Sequence, residues 1–293
     1  MPSPVCITWM TVGLAESVAI ITLNLCTIIV FTTNRNLRKR STYLVINLAV
    51  TDILVGGVAV YYLFYLFGVF CNVWRGHLNE HLAGYIDTIL ICFPGMSLIN
   101  MTIIALERAY ATFRPFKHRV LKKRVYGLLI VFVWVITALS TFLNLKYPVE
   151  EVTGLYLAIA LCSFELLIIC VSYSSIVIKV RCGAHPQHHG AASRERKLTM
   201  TLLIVTVSSL LVFLPVIFFS ILLDSGKFKI PFPVEINIYG ALWFSLGANS
   251  LVNPILYAIR MPEYRSTLAA LFRKKSTLRN RERRVVDLPL RDL

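Results

Sequence analysis

Between Leu82 and Leu106 the sequence carries a single formal charge, Asp87, and then Glu107 and Arg108 arrive together. A run of about 25 residues of that composition is long enough to cross the hydrocarbon core of a bilayer as a helix. The charge pair closes the run, because an arginine beside a carboxylate has its charge met locally at a depth where both groups can reach water. Arg114-Pro115 follows, and proline disfavours helical geometry at the residue before it. On charge alone the pair is equally compatible with a simple interfacial anchor, so the rest of the chain decides.

The pattern recurs. Seven apolar blocks span residues 10–31, 43–70, 82–106, 125–145, 155–177, 198–223 and 234–259 of the 293, in a chain that is 57% hydrophobic and 15% charged. The apolar residues fall in long blocks rather than short amphipathic periods, which defines an all-α membrane protein, a seven-transmembrane helix bundle. The connections are too short for a separate soluble domain. Residues 1–9 form a short extracellular N-terminus, 10–259 the bundle, and 260–293 a basic cytoplasmic tail.

Net charge is +15, and its distribution matters more than its size. Of 30 lysines and arginines, 26 follow the first, third, fifth and seventh blocks, leaving Arg75, Lys146, Lys227 and Lys229 on the other side. That alternation puts the N-terminus outside and the C-terminus in the cytoplasm. Topology and attraction to anionic lipid account for the basic balance, so nucleic acid is excluded as a partner.

Polar side chains inside the blocks are the first site candidates, since in hydrocarbon they face the bundle interior or find partners. Glu16 and Asn24 lie in the first block, and Asp52 lies about a third of the way into the second. Ser97 in the third block and Asn249, Ser250 and Asn253 in the seventh are available to meet Asp52. A carboxylate with hydroxyl and amide oxygens suits a small monovalent cation such as sodium, or a proton. A hydrated polar network without a specific ion is the other reading.

Three motifs then fall on three blocks: Asn47-Leu48-Ala49-Val50-Thr51-Asp52, Leu106-Glu107-Arg108, and Asn253-Pro254-Ile255-Leu256-Tyr257. Pro254 removes a backbone donor and bends its helix, and Asn253 can cap the freed carbonyls. Jointly, at this spacing, they resemble a rhodopsin-like, or class A, G-protein-coupled receptor over essentially the whole chain. The resemblance implies roles position by position. Asn24 matches the first-helix asparagine, Asp52 the sodium-site aspartate, Trp134 the fourth-helix tryptophan and Pro215 the sixth-helix proline. Arg108 would engage a heterotrimeric G protein, held inactive by Glu107 and by Glu195, which precedes Pro215 by 20 residues, about 30 Å of helix. Tyr173 and Tyr257 match tyrosines that swing inward on activation. The segment 263–272 reads as a short amphipathic eighth helix on the inner leaflet, with Tyr264, Leu268, Leu271 and Phe272 on one face.

Departures from the family pattern carry information too. Ala83 stands where the third helix should offer a cysteine, and the loop after the fourth block has none, so the usual outer disulfide is absent. Four of seven cysteines lie in membrane blocks and Cys182 is cytoplasmic; Cys6 and Cys71 remain outside, where a disulfide and two free thiols are both open. Glu165, Leu98 and Ser209 occupy the usual core switch, and Phe213 replaces the sixth-helix tryptophan, leaving hinging at Pro215 as the expected movement. These features resemble the melanocortin-like branch in architecture. Its three acidic ligand and calcium positions correspond here to Asp87, Tyr62 and Ala83, so neither the calcium site nor the ligand is expected to carry over.

The resemblance leaves the extracellular ligand unknown. The amine-receptor aspartate corresponds to Leu90 and the retinal lysine to Gly247. Ligand-site candidates are Glu16, Tyr62, Asp87, Leu90, Phe93, Phe213 and Trp243, with Glu165 and the neighbouring aromatics Tyr61, Phe64, Phe218, Phe219, Tyr239 and Phe244 around them. Acids among aromatics suit a cationic or amphipathic small molecule or a short peptide; the alternative is that most of these rings pack helices or face lipid. Glu165 reads as a proton switch, a ligand contact or, preferably, a hydrogen-bonding substitute for the proline kink, and Pro94 is expected to kink the third helix.

Two other functions stay open: a fold-retaining, non-signalling binding protein, and an ion-translocating protein using Glu16, Asp52 and Glu165, against which stands the lack of inverted repeats. Enzyme chemistry has little support, for no nucleophile with its base, metal-ligand spacing or glycine-rich phosphate loop falls in a plausible place. No resident cofactor is expected apart from the sodium ion.

Overall fold

The computed structural model describes residues 4–35, 37–38, 40–71, 73–74, 80–147, 151–182, 204, 212–215, 218–219, 232–271 and 273. The chain folds into helices: α1 (Pro4–Thr33), α2 (Thr42–Tyr61), α3 (Glu80–Phe113), the short α4 (Pro115–Val120), α5 (Lys123–Lys146), α6 (Glu151–Cys182) and α7 (Phe232–Arg260). Residues 262–271 are again helical. Among the described residues, six helices are long and apolar enough to span a membrane. The remaining block, 198–223, lies mostly outside the described residues, as do Glu195 and Ser209; residues 212–215 are helical.

Several boundaries differ from those read in the sequence. Helix α1 begins at Pro4, so most of the expected N-terminal segment already belongs to the first helix. The second block is not one regular helix: after Tyr61 it widens into a π-helix over Tyr62–Phe67 and ends in a short turn, Gly68–Phe70. Trp74 covers this region, donating its Nε1–H to the Phe64 carbonyl at 2.7 Å and packing its ring on Phe64. Helix α3 runs unbroken through Pro94. Only residues 147–150 separate α5 from α6.

In lipid, helices gain little from burying apolar surface, so close packing at small residues and polar contacts hold them together. Helix α1 shows both. A Cβ on Gly56 of α2 would lie 2.9 Å from Ile21 and 3.1 Å from the Ser17 carbonyl. On α7, Gly240 receives the Trp9 ring and Gly247 receives the Glu16 carboxylate, so two notches seven residues apart on α7 take two side chains seven apart on α1. Trp9 also donates to Asn237 at 2.9 Å. At the outer end Cys6 and Cys71 form a disulfide with Cα atoms 5.8 Å apart, tying α1 to the turn after α2 beside Ile236. Helix α3 lies centrally against α2, α5 and α6, and its Leu98, Met101, Ile104 and Ala105 build the main core with Ile169, Tyr173, Ile176 and Phe213. Helix α5 is the most peripheral, exposing Leu128, Val131, Phe132, Val135 and Leu139.

Candidate functional site: two polar clusters along helix α3

The first cluster is centred on Asp52, which is fully buried. Ser97 of α3 and Ser250 of α7 each donate to its Oδ1 at 2.8 Å, and Asn253 donates to its Oδ2 at 3.1 Å. Asn24 braces the arrangement from α1, its amide bridging the Ile20 and Ser250 carbonyls at 3.0 Å each. Asn249 donates to the Met101 sulfur at 3.7 Å. One buried acceptor has no donor: Asn253 Oδ1. Three neutral donors around one carboxylate, with an orphaned amide oxygen beside them, form an oxygen-rich cage with room for a positive charge in its electrostatics. That donor set fits a small monovalent cation. Asp52, Ser97, Ser250 and Asn253 would hold it.

A parallel ladder one turn inward ties α2, α3 and α5. Trp134 donates its Nε1–H to Asn47 Oδ1 at 3.0 Å, Asn47 donates to Asn100 at 2.7 Å, and Asn100 donates to Thr51 at 3.0 Å and to the Met96 carbonyl at 3.1 Å. Asn100, which was not among the site candidates, is thus a structural hub.

The second cluster lies at the inner end of α3. Glu107 is buried, and its Oε2 sits 3.0 Å from Arg108 Nε. The Nε–H is not aimed along that contact, so the pair attracts as charges without forming a hydrogen bond. Glu107 Oε1 is more strongly held. His118 Nε2 lies 2.7 Å away and Tyr126 donates its hydroxyl at 3.1 Å, with His118 and Tyr126 themselves 3.2 Å apart. Helix α4, which carries His118, is pinned from the other side by Arg40, whose guanidinium donates to the Arg119 carbonyl at 3.1 Å and also to the Leu121 carbonyl. His118 and Tyr126 were not among the sequence candidates. The signal was the i, i+3 pair His118 and Leu121, which faces inward while Phe116 and Val120, spaced i, i+4, face out.

Tyr173 and Tyr257 are both buried. Tyr173 joins the main core. The Tyr257 hydroxyl has no partner, and its ring contacts Phe31 and Tyr264 at centroid distances of 5.7 and 6.2 Å. Tyr264 in segment 262–271 is buried too, sharing a hydrogen bond of 2.9 Å with Thr27. Burial pushes its phenol pKa up, partly offset by that bond. Leu268 and Leu271 pack on the same cluster, so this face of the segment meets the protein.

The ligand-site candidates do not form one group. Tyr62 and Trp243 touch, with ring centroids 5.7 Å apart, and Glu16 lies one helical turn inward of Trp243 against Gly247. Glu16 is 9% exposed and its Oε1 has no partner. Phe93 is half-buried. Leu90 is buried, and Phe213 packs with Leu98 in the core, so both are packing residues here. Pro215 is helical and exposed, and Pro254 lies within α7. The Asp87 side chain lies outside the described residues. Tyr61, Phe64, Phe218, Phe219, Tyr239 and Phe244 are all more than a third exposed. Glu165 is half-buried.

The buried carboxylates, the apolar exterior and six helices of membrane-spanning length describe a multi-pass membrane protein. The chain matches the family described as 7 transmembrane receptor (rhodopsin family) over residues 23–150. It is 29% identical to the histamine H2 receptor of Rattus norvegicus over 316 aligned positions, covering 94% of this chain and 84% of that protein. The Homo sapiens histamine H2 receptor is 29% identical, over 82% of this chain and 72% of its own length. The human alpha-1D adrenergic receptor is 23% identical, over 89% and 55%. These matches make the chain similar to the rhodopsin-like, class A G-protein-coupled receptors, and the relatives it matches are receptors rather than enzymes. These relatives are amine receptors by name, and none of them supports the likeness to the melanocortin-like branch.

Proposed function

We propose that this receptor passes an extracellular signal to a heterotrimeric G protein through opening of its inner face, with the N-terminus outside, the C-terminus in the cytoplasm, and residues 260–293 forming a cytoplasmic tail whose first helix lies on anionic inner-leaflet lipid. The observation that carries this reading is the buried Glu107 carboxylate, held between His118, Tyr126 and Arg108 at the inner end of α3. A buried charge with several partners is a bistable element: breaking the set exposes both Glu107 and Arg108, and a partner that binds Arg108 shifts the balance. Asp52, Ser97, Ser250 and Asn253 hold a sodium ion in the closed form, and Tyr173, Tyr257, Pro215, Pro254 and Phe213 belong to the moving parts.

The ligand is a cationic or amphipathic small molecule or short peptide. The similarity to histamine and adrenergic receptors favours an amine, yet Leu90 removes the usual third-helix carboxylate, so its positive charge has to meet another acid. Glu16, nine-tenths buried with a free Oε1 close to the Tyr62–Trp243 pair, and Asp87 are the two that remain.

The test is basal cAMP, with and without forskolin, in cells expressing the parent, Glu195→Ala and Arg108→Ala at matched surface levels. Glu195→Ala shifts cAMP, upward for stimulatory and downward for inhibitory coupling, and Arg108→Ala abolishes the shift. Signals equal to empty cells for all three proteins refute coupling through cAMP.

A further inference from the structure

One stripe of α7, spaced i, i+3, i+7 over residues 240, 243 and 247, meets α1 and α2 along its length. Gly240 receives the Trp9 ring, Trp243 lies against the Tyr62 ring, and Gly247 receives the Glu16 carboxylate. The stripe thus runs from aromatic contacts, at the end closed by the Cys6–Cys71 disulfide, to an acid deeper in the span. A Cβ at Gly247 would lie 2.9 Å from each Glu16 oxygen, so the carboxylate rests against bare helix backbone. Glu16 is nine-tenths buried, and its Oε1 has no hydrogen-bond partner. No positive charge meets it from these helices. Helices α1 and α2 contain no lysine, arginine or histidine, and the first in α7 is Arg260, 13 residues past Gly247 and about 20 Å along the axis.

An acid left unpaired inside a bilayer is costly, and such residues mark ligand or ion sites. Asp52 is different, since three donors already hold its oxygens. The rings limit what reaches Glu16. Trp243 precedes Gly247 by four residues, about 6 Å of helix, so a ligand with its cation at Glu16 has its apolar part beside Tyr62 and Trp243. Ring faces stack on other rings and attract cations. We infer that Glu16 is the counter-ion for the ammonium group of a small arylalkylamine, whose ring packs on Tyr62 and Trp243 between α1, α2 and α7. The inference rests on the proposed cationic ligand class, and it moves the acid that meets the amine from α3, where Leu90 stands, to α1. Rotation about the Glu16 side-chain bonds turns the carboxylate out of the Gly247 notch toward the ammonium and removes a contact between α1 and α7. Ser250, one turn further along α7, bonds Asp52, so the ligand acts on the helix that completes the buried cage.

The experiment uses the purified full chain in phosphatidylcholine nanodiscs, with thermal melts and isothermal titration against phenethylamine and phenethyl alcohol, which share a ring and chain and differ in carrying an ammonium or a hydroxyl group. Binding is read without a G protein, so failure of coupling in cells and failure of this site are separate results. Phenethylamine raises the melting temperature of the parent, and phenethyl alcohol does not. Glu16→Gln, which keeps the shape and removes the charge, weakens phenethylamine about tenfold or more, the factor carried by one charge-assisted hydrogen bond. Without ligand the same variant melts at or above the parent, because an unpaired charge has left the span. Trp243→Leu weakens phenethylamine too, and Asp87→Asn leaves its affinity at the parent's value. Equal binding of the two probes, binding of neither, or unchanged phenethylamine affinity in Glu16→Gln overturns the site. So does a Glu16→Gln variant that melts well below the parent, which assigns the carboxylate to packing alone. Loss of affinity in Asp87→Asn with none in Glu16→Gln also overturns it, and leaves the cationic ligand class standing.

Discussion

The contact between His118 and Glu107 yields the sharpest prediction, because one imidazole tethers a buried carboxylate to a helix outside the membrane. His118→Ala removes a hydrogen bond of 2.7 Å to an ionised acceptor. Such bonds are worth about 1.5–3 kcal/mol, and the loss is felt in full when the partner stays buried. The His118 side chain is 23% exposed, and Tyr126 still donates to the same oxygen, so the low end applies, about 1.5 kcal/mol. That is about a tenfold change in the closed-to-open equilibrium, enough to raise an active fraction of about 1% to about 10%. Basal cAMP, read against the forskolin level at matched surface expression, therefore moves in the agonist direction for His118→Ala. His118→Gln, which keeps a donor, stays near the parent. A basal signal that is unchanged in His118→Ala, or that falls, refutes the assignment of Glu107 and its partners as the closing latch.

Three further outcomes follow from the packing. The purified parent melts a few degrees higher in sodium chloride than in choline chloride, as expected for about 1.4 kcal/mol of linkage at ten times the dissociation constant, and Asp52→Asn abolishes the difference; a parent indifferent to the cation rules the sodium reading out. Gly247→Ala places a Cβ 2.8 Å from the Glu16 carboxyl carbon and destabilises the receptor by about 1–3 kcal/mol in thermal melts, whereas the same change in a Glu16→Ala background costs little, and additive effects would contradict the notch. Cys6→Ser lowers the melting temperature, with a chain-entropy ceiling of about 4 kcal/mol for a bridge 65 residues apart; reductant reproduces the loss in the parent and leaves the variant unmoved.

How much of this was legible in the sequence depends on depth in the membrane. The Asp52 cluster is legible across three blocks, because a carboxylate in hydrocarbon needs partners and few polar side chains are available. Three of the four candidate partners bond to it, while Asn249 donates to Met101. His118 was hidden among lysines and arginines, where a cytoplasmic charge run explained it sufficiently. The π-helix at Tyr62–Phe67 was hidden as well, since a uniformly apolar block sets a length but no hydrogen-bonding register. The aromatics are hard to read for a related reason: exposure to lipid and exposure to a pocket look alike in composition, and Tyr61, Phe64 and Tyr239 are all well exposed.

A single asymmetry explains why the inner half was the readable half. In a bilayer an apolar residue pays little for facing the wrong way, whereas an unpaired polar one costs several kcal/mol, so each buried polar group over-determines the rotation of its helix. Ser97, Asn100 and Glu107 lie on α3 at intervals of three and seven, within about 15 Å of rise, and each is bonded to a different neighbour: Asp52 on α2, Asn47 on α2, and Tyr126 on α5. Three such constraints leave α3 one register. Toward the outer end the described polar contacts are sparser, and the helices are set by glycine notches and by one disulfide, devices that specify distance but say little about chemistry. The end of the bundle that carries Glu107 is thus written in residues whose errors are costly, and the end closed by the disulfide in residues that fix distance and can be exchanged at lower cost.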